Sequence, residues 1–287
     1  MPQTPFLERA SAKIERETRA LFKSARQKLT YRGEPKTPVF ILGCQRSGTN
    51  MLIDVLDASP HTLTFHEDDE RVFVHNRIKS VEVQRKLIDH AACPVIVFKP
   101  IADSQHADVF LREYPNAKIL WIYRSYQDTT NSAVAKWGSG QITIMKKLIS
   151  TERAPDWRHW IADRVPQDTL DTLRALDLTD MSAHTAAALK WWVRNKLFFD
   201  LKLDQLPQRV RLVRYEDLVQ NPVELFPPLF AFCGDTPDRL PFDPAFVAQV
   251  KTGSIKKSNF PVILPAVQQL CEDMTAQLDA AYQANRP

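Results

Sequence analysis

Val39-Phe40-Ile41-Leu42-Gly43-Cys44-Gln45-Arg46-Ser47-Gly48-Thr49-Asn50-Met51-Leu52 decides how this chain is read. An apolar run leads into a loop of small and polar residues, and the loop runs into a helical pattern with Met51, Leu52, Val55 and Leu56 on one face. A strand, a glycine-bearing loop and a helix in this order leave backbone N–H groups unpaired at the helix N-terminus, which suits a phosphate. The ATP-binding form of such a loop is G-x-x-x-x-G-K-[ST], where Lys reaches the β- and γ-phosphates and the hydroxyl ligates Mg²⁺. Gly43 and Gly48 keep that spacing, but Thr49 stands at the Lys position and Asn50 at the Ser/Thr position. Arg46, two residues before the second glycine, supplies a cation that reaches the far end of a bound anion. The loop reads as a phosphate cradle that works without a metal.

Outward from this loop, short β-branched runs alternate with amphipathic segments, the pattern of a parallel sheet covered on both faces. Strands are expected over 39–42, 63–65, 94–98, 118–123 and 210–214. Ala107, Phe110, Leu111 and Tyr114 mark a helix before the fourth strand. The period is lost over 138–183, which reads as a partly helical insertion over the sheet. Leu189, Trp192, Lys196, Phe199 and Leu203 then predict one long helix, followed by helices over 221–233 and 265–284 with a loop over 241–261 between them. The fold class is α/β: a P-loop-type parallel β-sheet flanked by helices, as a single domain over 37–287 with an N-terminal helical segment over 1–36.

With 287 residues, 44% hydrophobic and 25% charged, the chain has the composition of a globular protein and needs no staples. Its net charge of +4 is uneven. Residues 1–36 hold nine Lys/Arg and four Asp/Glu, so the rest sums to about −1. In that basic segment Leu7, Ile14 and Leu21 recur every seven residues, giving a narrow apolar stripe. Packing on the main domain is the preferred reading, with contact to a membrane surface as the other. The segment has no apolar signal-peptide core, and Cys44, Cys93, Cys233 and Cys271 are widely spaced, so a cytoplasmic setting with reduced thiols is expected. No nucleic-acid partner is expected.

The fourth strand ends in Tyr123-Arg124-Ser125, and Ser132 follows Arg124 by eight residues, about two helical turns. The two side chains can converge on one phosphate. Together, a metal-free loop on the first strand and this pair resemble the sulfotransferases that use 3′-phosphoadenosine 5′-phosphosulfate. In that family an [RK]-S-G-T-T loop holds the 5′-phosphosulfate and an R-x₇-S segment holds the 3′-phosphate. The resemblance carries these roles to Arg46, Ser47, Gly48, Thr49 and Asn50, and to Arg124 with Ser132. Val213-Arg214-Tyr215-Glu216-Asp217-Leu218, followed by Asn221-Pro222, is similar to a third family signature, whose Tyr lies near the adenine; here that is Tyr215. Thr252-Gly253-Ser254-Ile255-Lys256-Lys257-Ser258 looks like a loop that closes over the nucleotide, and contributes Ser254 and Lys256.

Within the family, Arg46-Ser47-Gly48-Thr49, Leu56-Asp57-Ala58, Pro60 and Tyr114-Pro115-Asn116-Ala117-Lys118 are closest to the tyrosylprotein and carbohydrate branch. That likeness places the general base at Glu67. The small-molecule branch uses a His two residues after a strand Lys; Lys99 matches the Lys, but Ile101 stands where the His would be. Lys99 at a strand end, where a buried ammonium is costly, is expected to reach the phosphosulfate and, with Arg46, to stabilise the breaking S–O bond. Glu67 lies in the cluster Glu67-Asp68-Asp69-Glu70, where neighbouring carboxylates tend to raise its proton affinity. His61 and His66 rank below it as bases. Asn50 for the usual second Thr and Met51 for a stacking Trp are the departures from the family pattern. The expected activity is transfer of a sulfuryl group to a hydroxyl acceptor (a sugar, lipid, small metabolite or tyrosine) with no metal. The rivals are a P-loop nucleotide kinase and a non-catalytic nucleotide-binding protein on the same scaffold.

Overall fold

The computed structural model describes residues 35–150, 160–251 and 262–285. Its spine is a sheet of five parallel strands: β1 (Thr37–Gly43), β2 (Thr62–Phe65), β5 (Val95–Phe98), β6 (Lys118–Tyr123) and β7 (Val210–Arg214), in the order β2-β5-β1-β6-β7. All five lie where the sequence expects them. The smaller β3 (Phe73–Val74) and β4 (Arg77–Ile78) form a hairpin that periodicity does not reveal, because two-residue strands have no period to read. His75 and Asn76 make its turn, both at positive φ, as a type I′ connection requires.

All seven residues of β1 are buried because both faces of the sheet are covered. Phe40 and Leu42 face one core, with Phe65, Phe98, Phe110 and Trp121. Val39 and Ile41 face the other, with Ile53, Leu56, Val97, Leu120 and Phe226. Helix α1 (Thr49–Ala58) follows β1. It is succeeded by α2 (Val81–His90), α3 (Ala107–Glu113), α4 (Tyr126–Trp137), α5 (Gly140–Ile149), α6 (Gln167–Ala175) and α7 (Ala183–Asp200). After β7 come α8 (Tyr215–Gln220), α9 (Pro222–Gly234) and α10 (Pro265–Ala284).

Among the described residues of the 138–183 insertion, α5 and α6 are the regular elements. Helix α7 is capped by Ser182, whose hydroxyl accepts the N–H of Thr185, and is buried without a break from Thr185 to Asn195. A helix enclosed on every side carries no clean stripe. It ends at Asp200, and the left-handed Lys202 starts a separate 3₁₀ turn at Leu203, which corrects the expected extension of the helix through Leu203. Among the described residues no helix is long and apolar enough to cross a membrane. The N-terminal segment over 1–34 lies outside them.

β1 is where the strand order reverses, with β5 on one side and β6 on the other. In open parallel sheets the crevice at the carboxyl ends of strands flanking such a switch point is where ligands bind. Gly43, Glu67, Lys99, Arg124 and Tyr215 each sit at, or within two residues past, the end of a different strand. The topology brings to one rim residues up to 172 positions apart in the chain.

Candidate active site

Two glycines shape the loop after β1. Gly43 has φ 132°, and a Cβ there would lie 2.3 Å from the carbonyl oxygen of Ile122 on β6. Its N–H donates to Ser104 Oγ at 3.1 Å, and the same hydroxyl donates back to the Gly43 carbonyl at 3.2 Å, so Ser104 pins the exit from β1. Gly48 has φ 95°, and a Cβ there would lie 2.1 Å from the Tyr215 ring. Arg46 takes φ 73°, an uncommon value for a residue with a side chain. Ser47 is fully buried, yet its hydroxyl has no partner among the described residues, which is what a cradle built for an oxyanion leaves behind. Thr49 and Asn50 open α1, whose first N–H groups have no intrahelical acceptor.

Replacing Gly48 with Ala forces the Tyr215 ring aside and strains a left-handed position, at a cost of about 1–2 kcal/mol for the backbone alone. We expect the melting temperature of the G48A variant to fall by several degrees and its affinity for 3′-phosphoadenosine 5′-phosphate (PAP) to drop at least about tenfold, read by calorimetry. Affinity within twofold of wild type would show that the ring contact does not shape the loop.

Beside the loop, Lys99 is 3% exposed at the end of β5. Its Nζ donates to Asn50 Oδ1 at 2.6 Å and to Glu67 Oε2 at 2.9 Å. These bonds join the start of α1, the end of β5 and the residue just past β2 into one unit, and they give Asn50 a role: it holds Lys99. The sequence sets Glu67 among acids, but the charge placed against it is the Lys99 ammonium. Asp69 turns instead to Arg71, which it receives at 2.6 Å. His66 lies 3.8 Å from Asp54 of α1, and Met51 packs against the apolar cluster under α1.

The second expected anion locus sits across the loop. The Arg124 guanidinium bonds Asp128 at 3.2 Å and lies 4.5 Å over the Tyr215 ring. Arg46 Nε donates to Ser132 Oγ at 2.9 Å, so the cation of the first loop and the serine of the second locus already touch. The third signature braces both. The Tyr215 ring, 6% exposed, is wedged between Gly48 and Arg124, and Glu216 accepts the N–H of Ser125 at 2.9 Å. Burial raises the Glu216 proton affinity, against which the Ser125 N–H and the nearby Arg214 and Arg124 act. Trp191 Nε1 donates to the Arg124 carbonyl at 2.9 Å, and Trp191 and Trp192 belong to the core.

The structure thus gathers Arg46, Ser47, Gly48, Thr49, Asn50, Glu67, Lys99, Arg124, Ser132 and Tyr215 on one rim. Ser254 and Lys256 lie outside the described residues. Sequence reasoning missed Ser104, Asp128 and Glu216 as supports, and Lys190. The first three carry no signal apart from their partners. Lys190 had one: a Lys inside the apolar run Ala186-Ala187-Ala188-Leu189-Lys190-Trp191-Trp192-Val193. Among the described residues no group of three or more His, Cys, Asp or Glu side chains is placed to hold a metal, and all four cysteines are free and buried.

The family model for the sulfotransferase domain matches residues 36–245, and the chain belongs to this family: it is an enzyme that transfers sulfuryl groups. Among solved structures it is similar to a sulfotransferase from Alicyclobacillus acidocaldarius, with 16% identity over 88% of this chain and 95% of that one and a TM-score of 0.46. The sulfotransferase domain of the olefin synthase of Synechococcus PCC 7002 gives 16% identity over 84% and 95%, with a TM-score of 0.48. A mouse sulfotransferase solved in complex with PAP gives 11% over 92% and 91%, with a TM-score of 0.42. Likenesses this loose carry nothing about substrate. Comparison with the curated proteins gives no match.

Proposed function

We propose that the enzyme takes its sulfuryl group from 3′-phosphoadenosine 5′-phosphosulfate (PAPS) and passes it to a hydroxyl acceptor, with Glu67 as general base. The observation that carries this is the Asn50–Lys99–Glu67 unit: one buried ammonium, 2.6 Å from the residue that opens α1 and 2.9 Å from a carboxylate at the rim. Sulfuryl transfer, like phosphoryl transfer, is an in-line displacement governed by placement and by charge stabilisation. The loop N–H groups and the Ser47 hydroxyl fit the 5′-phosphate, and Arg124 with Ser132 fits the 3′-phosphate. Lys99 and Arg46 are the cations for charge building on the bridging oxygen. Glu67, 27% exposed in its side chain, is open to an incoming hydroxyl and takes its proton as the new O–S bond forms. The acceptor belongs to the sugar, lipid, small-metabolite or tyrosine hydroxyls, and a cytoplasmic setting is part of this proposal.

The test is nucleotide discrimination by the Arg124→Ala variant. Charge-assisted bonds contribute about 1.5–3 kcal/mol, so affinity for PAP is expected to fall roughly 10- to 100-fold while affinity for adenosine 5′-phosphosulfate, which lacks the 3′-phosphate, stays near wild type. Equal weakening of both nucleotides would overturn the assignment of the 3′-phosphate.

A further inference from the structure

Helix α7 carries a charge that the donor site does not use. Lys190 is 2% exposed, in the middle of a helix buried on all sides. A buried ammonium is costly unless an anion answers it. Among the described residues no carboxylate or other oxygen bonds Lys190; its Nζ lies 4.5 Å from the centre of the Trp137 ring. The charged and titratable groups that face it are Cys44, Arg46 and Arg194. The two arginines repel it, and burial raises the Cys44 pKa, which keeps the thiol neutral. Burial in this company brings the Lys190 pKa down to about 8.

Trp137 connects this charge to the rim. Its ring is 41% exposed and lies 6.0 Å from Arg46 Cζ as well. Four residues on, at the start of α5, which packs along α7, Gln141 is fully buried, and neither its Oε1 nor its Nε2 has a partner among the described residues. Buried polar groups are satisfied in the great majority of cases, so a buried cation without an acid beside an exposed ring, with an unanswered amide N–H on the neighbouring helix α5, points to a missing oxyanion. The donor's own charges already have their residues in the loop, at Arg124 with Ser132, and at Lys99 with Arg46.

We propose that Lys190, with Trp137, forms an anion subsite for the acceptor, which is therefore a hydroxyl compound bearing a carboxylate or a sulfate ester. This rests on the donor assignment above and deepens it. The probe is inorganic sulfate, titrated by calorimetry into protein loaded with PAP and, separately, with PAPS. Either complex is expected to bind sulfate, less tightly as the pH is raised past about 8, where the free lysine loses its proton. Lys190→Met should weaken sulfate at least about tenfold and leave PAP affinity within about twofold, while Lys190→Arg stays within about threefold of wild type. The Lys190→Met protein should also melt no lower than wild type, because an uncompensated buried charge has been removed. No sulfate uptake by wild type, uptake that ignores Lys190, or uptake blocked by PAPS would overturn the subsite, the last by placing the anion at the donor's sulfuryl group. A lower melting point with lost PAP binding in Lys190→Met would overturn it in favour of a structural role. If wild type failed to bind PAP at all, the donor reading would fall, and the subsite with it.

Discussion

Lys99→Met is expected to lower kcat by roughly 10²–10³, the loss that goes with its proposed role at the bridging oxygen, and to weaken PAP by a smaller factor, because the 5′-phosphate of PAP keeps that oxygen. The side chain is buried, its place is fixed by Asn50 at 2.6 Å and Glu67 at 2.9 Å, and it has no freedom to be anything but an oriented charge. An ammonium held in a site with little water stabilises developing negative charge far more than it would in solution, and it costs no reorganisation during the reaction. Its removal also leaves Glu67 without its cation. Lys99→Arg is not expected to restore activity, since a planar fork cannot occupy the place of a compact ammonium between two acceptors. Steady-state rates beside calorimetry of PAP binding read the two effects apart. A kcat within about threefold of wild type would remove Lys99 from the chemistry.

Glu67→Gln should lower kcat by roughly 10²–10⁴ with nucleotide binding preserved. The amide keeps the shape of the side chain and an oxygen for Lys99 to bond, so what is lost under the proposed role is the capacity to take the acceptor's proton. Because Lys99 and Glu67 touch, the double variant should lose much less than the product of the two single losses, a coupling expected of groups acting as one unit. If Glu67→Gln turned over at nearly the wild-type rate, another base would have to be found; His66, 11% exposed beside Asp54, is the next to test.

Much of the site was legible because its residues lie at fixed offsets from strand ends. The two glycines, Arg46 and Ser47 suggest an anion loop by local spacing, and Arg124 with Ser132, two turns of helix apart, suggests a second only when read beside it. Glu67 and Lys99 came by resemblance, and no spacing links them, since β2 and β5 become neighbours only in the sheet. Tyr215 illustrates the converse. Resemblance names it without saying what holds it, and the fold wedges its ring under Arg124 and against Gly48. The electrostatics of Glu67 could not be read from its neighbours in sequence, because adjacent acids point where their own partners draw them, Asp69 to Arg71 among them.

The sequence by itself determined the five strands, the parallel α/β class and the strand, glycine loop and helix that open the sheet. These follow from alternation, apolar runs and glycine spacing, all of which are local. Only the tertiary structure decided which charges meet. It set Lys99 between Asn50 and Glu67, brought Arg46 to Ser132, pinned Gly43 with Ser104, and buried Lys190 beside Trp137 without an acid. The physical reason is that a charge's effect depends on what lies within a few ångströms and on how much water is excluded, and both are set by strand order and helix packing across distances in sequence that no local pattern spans.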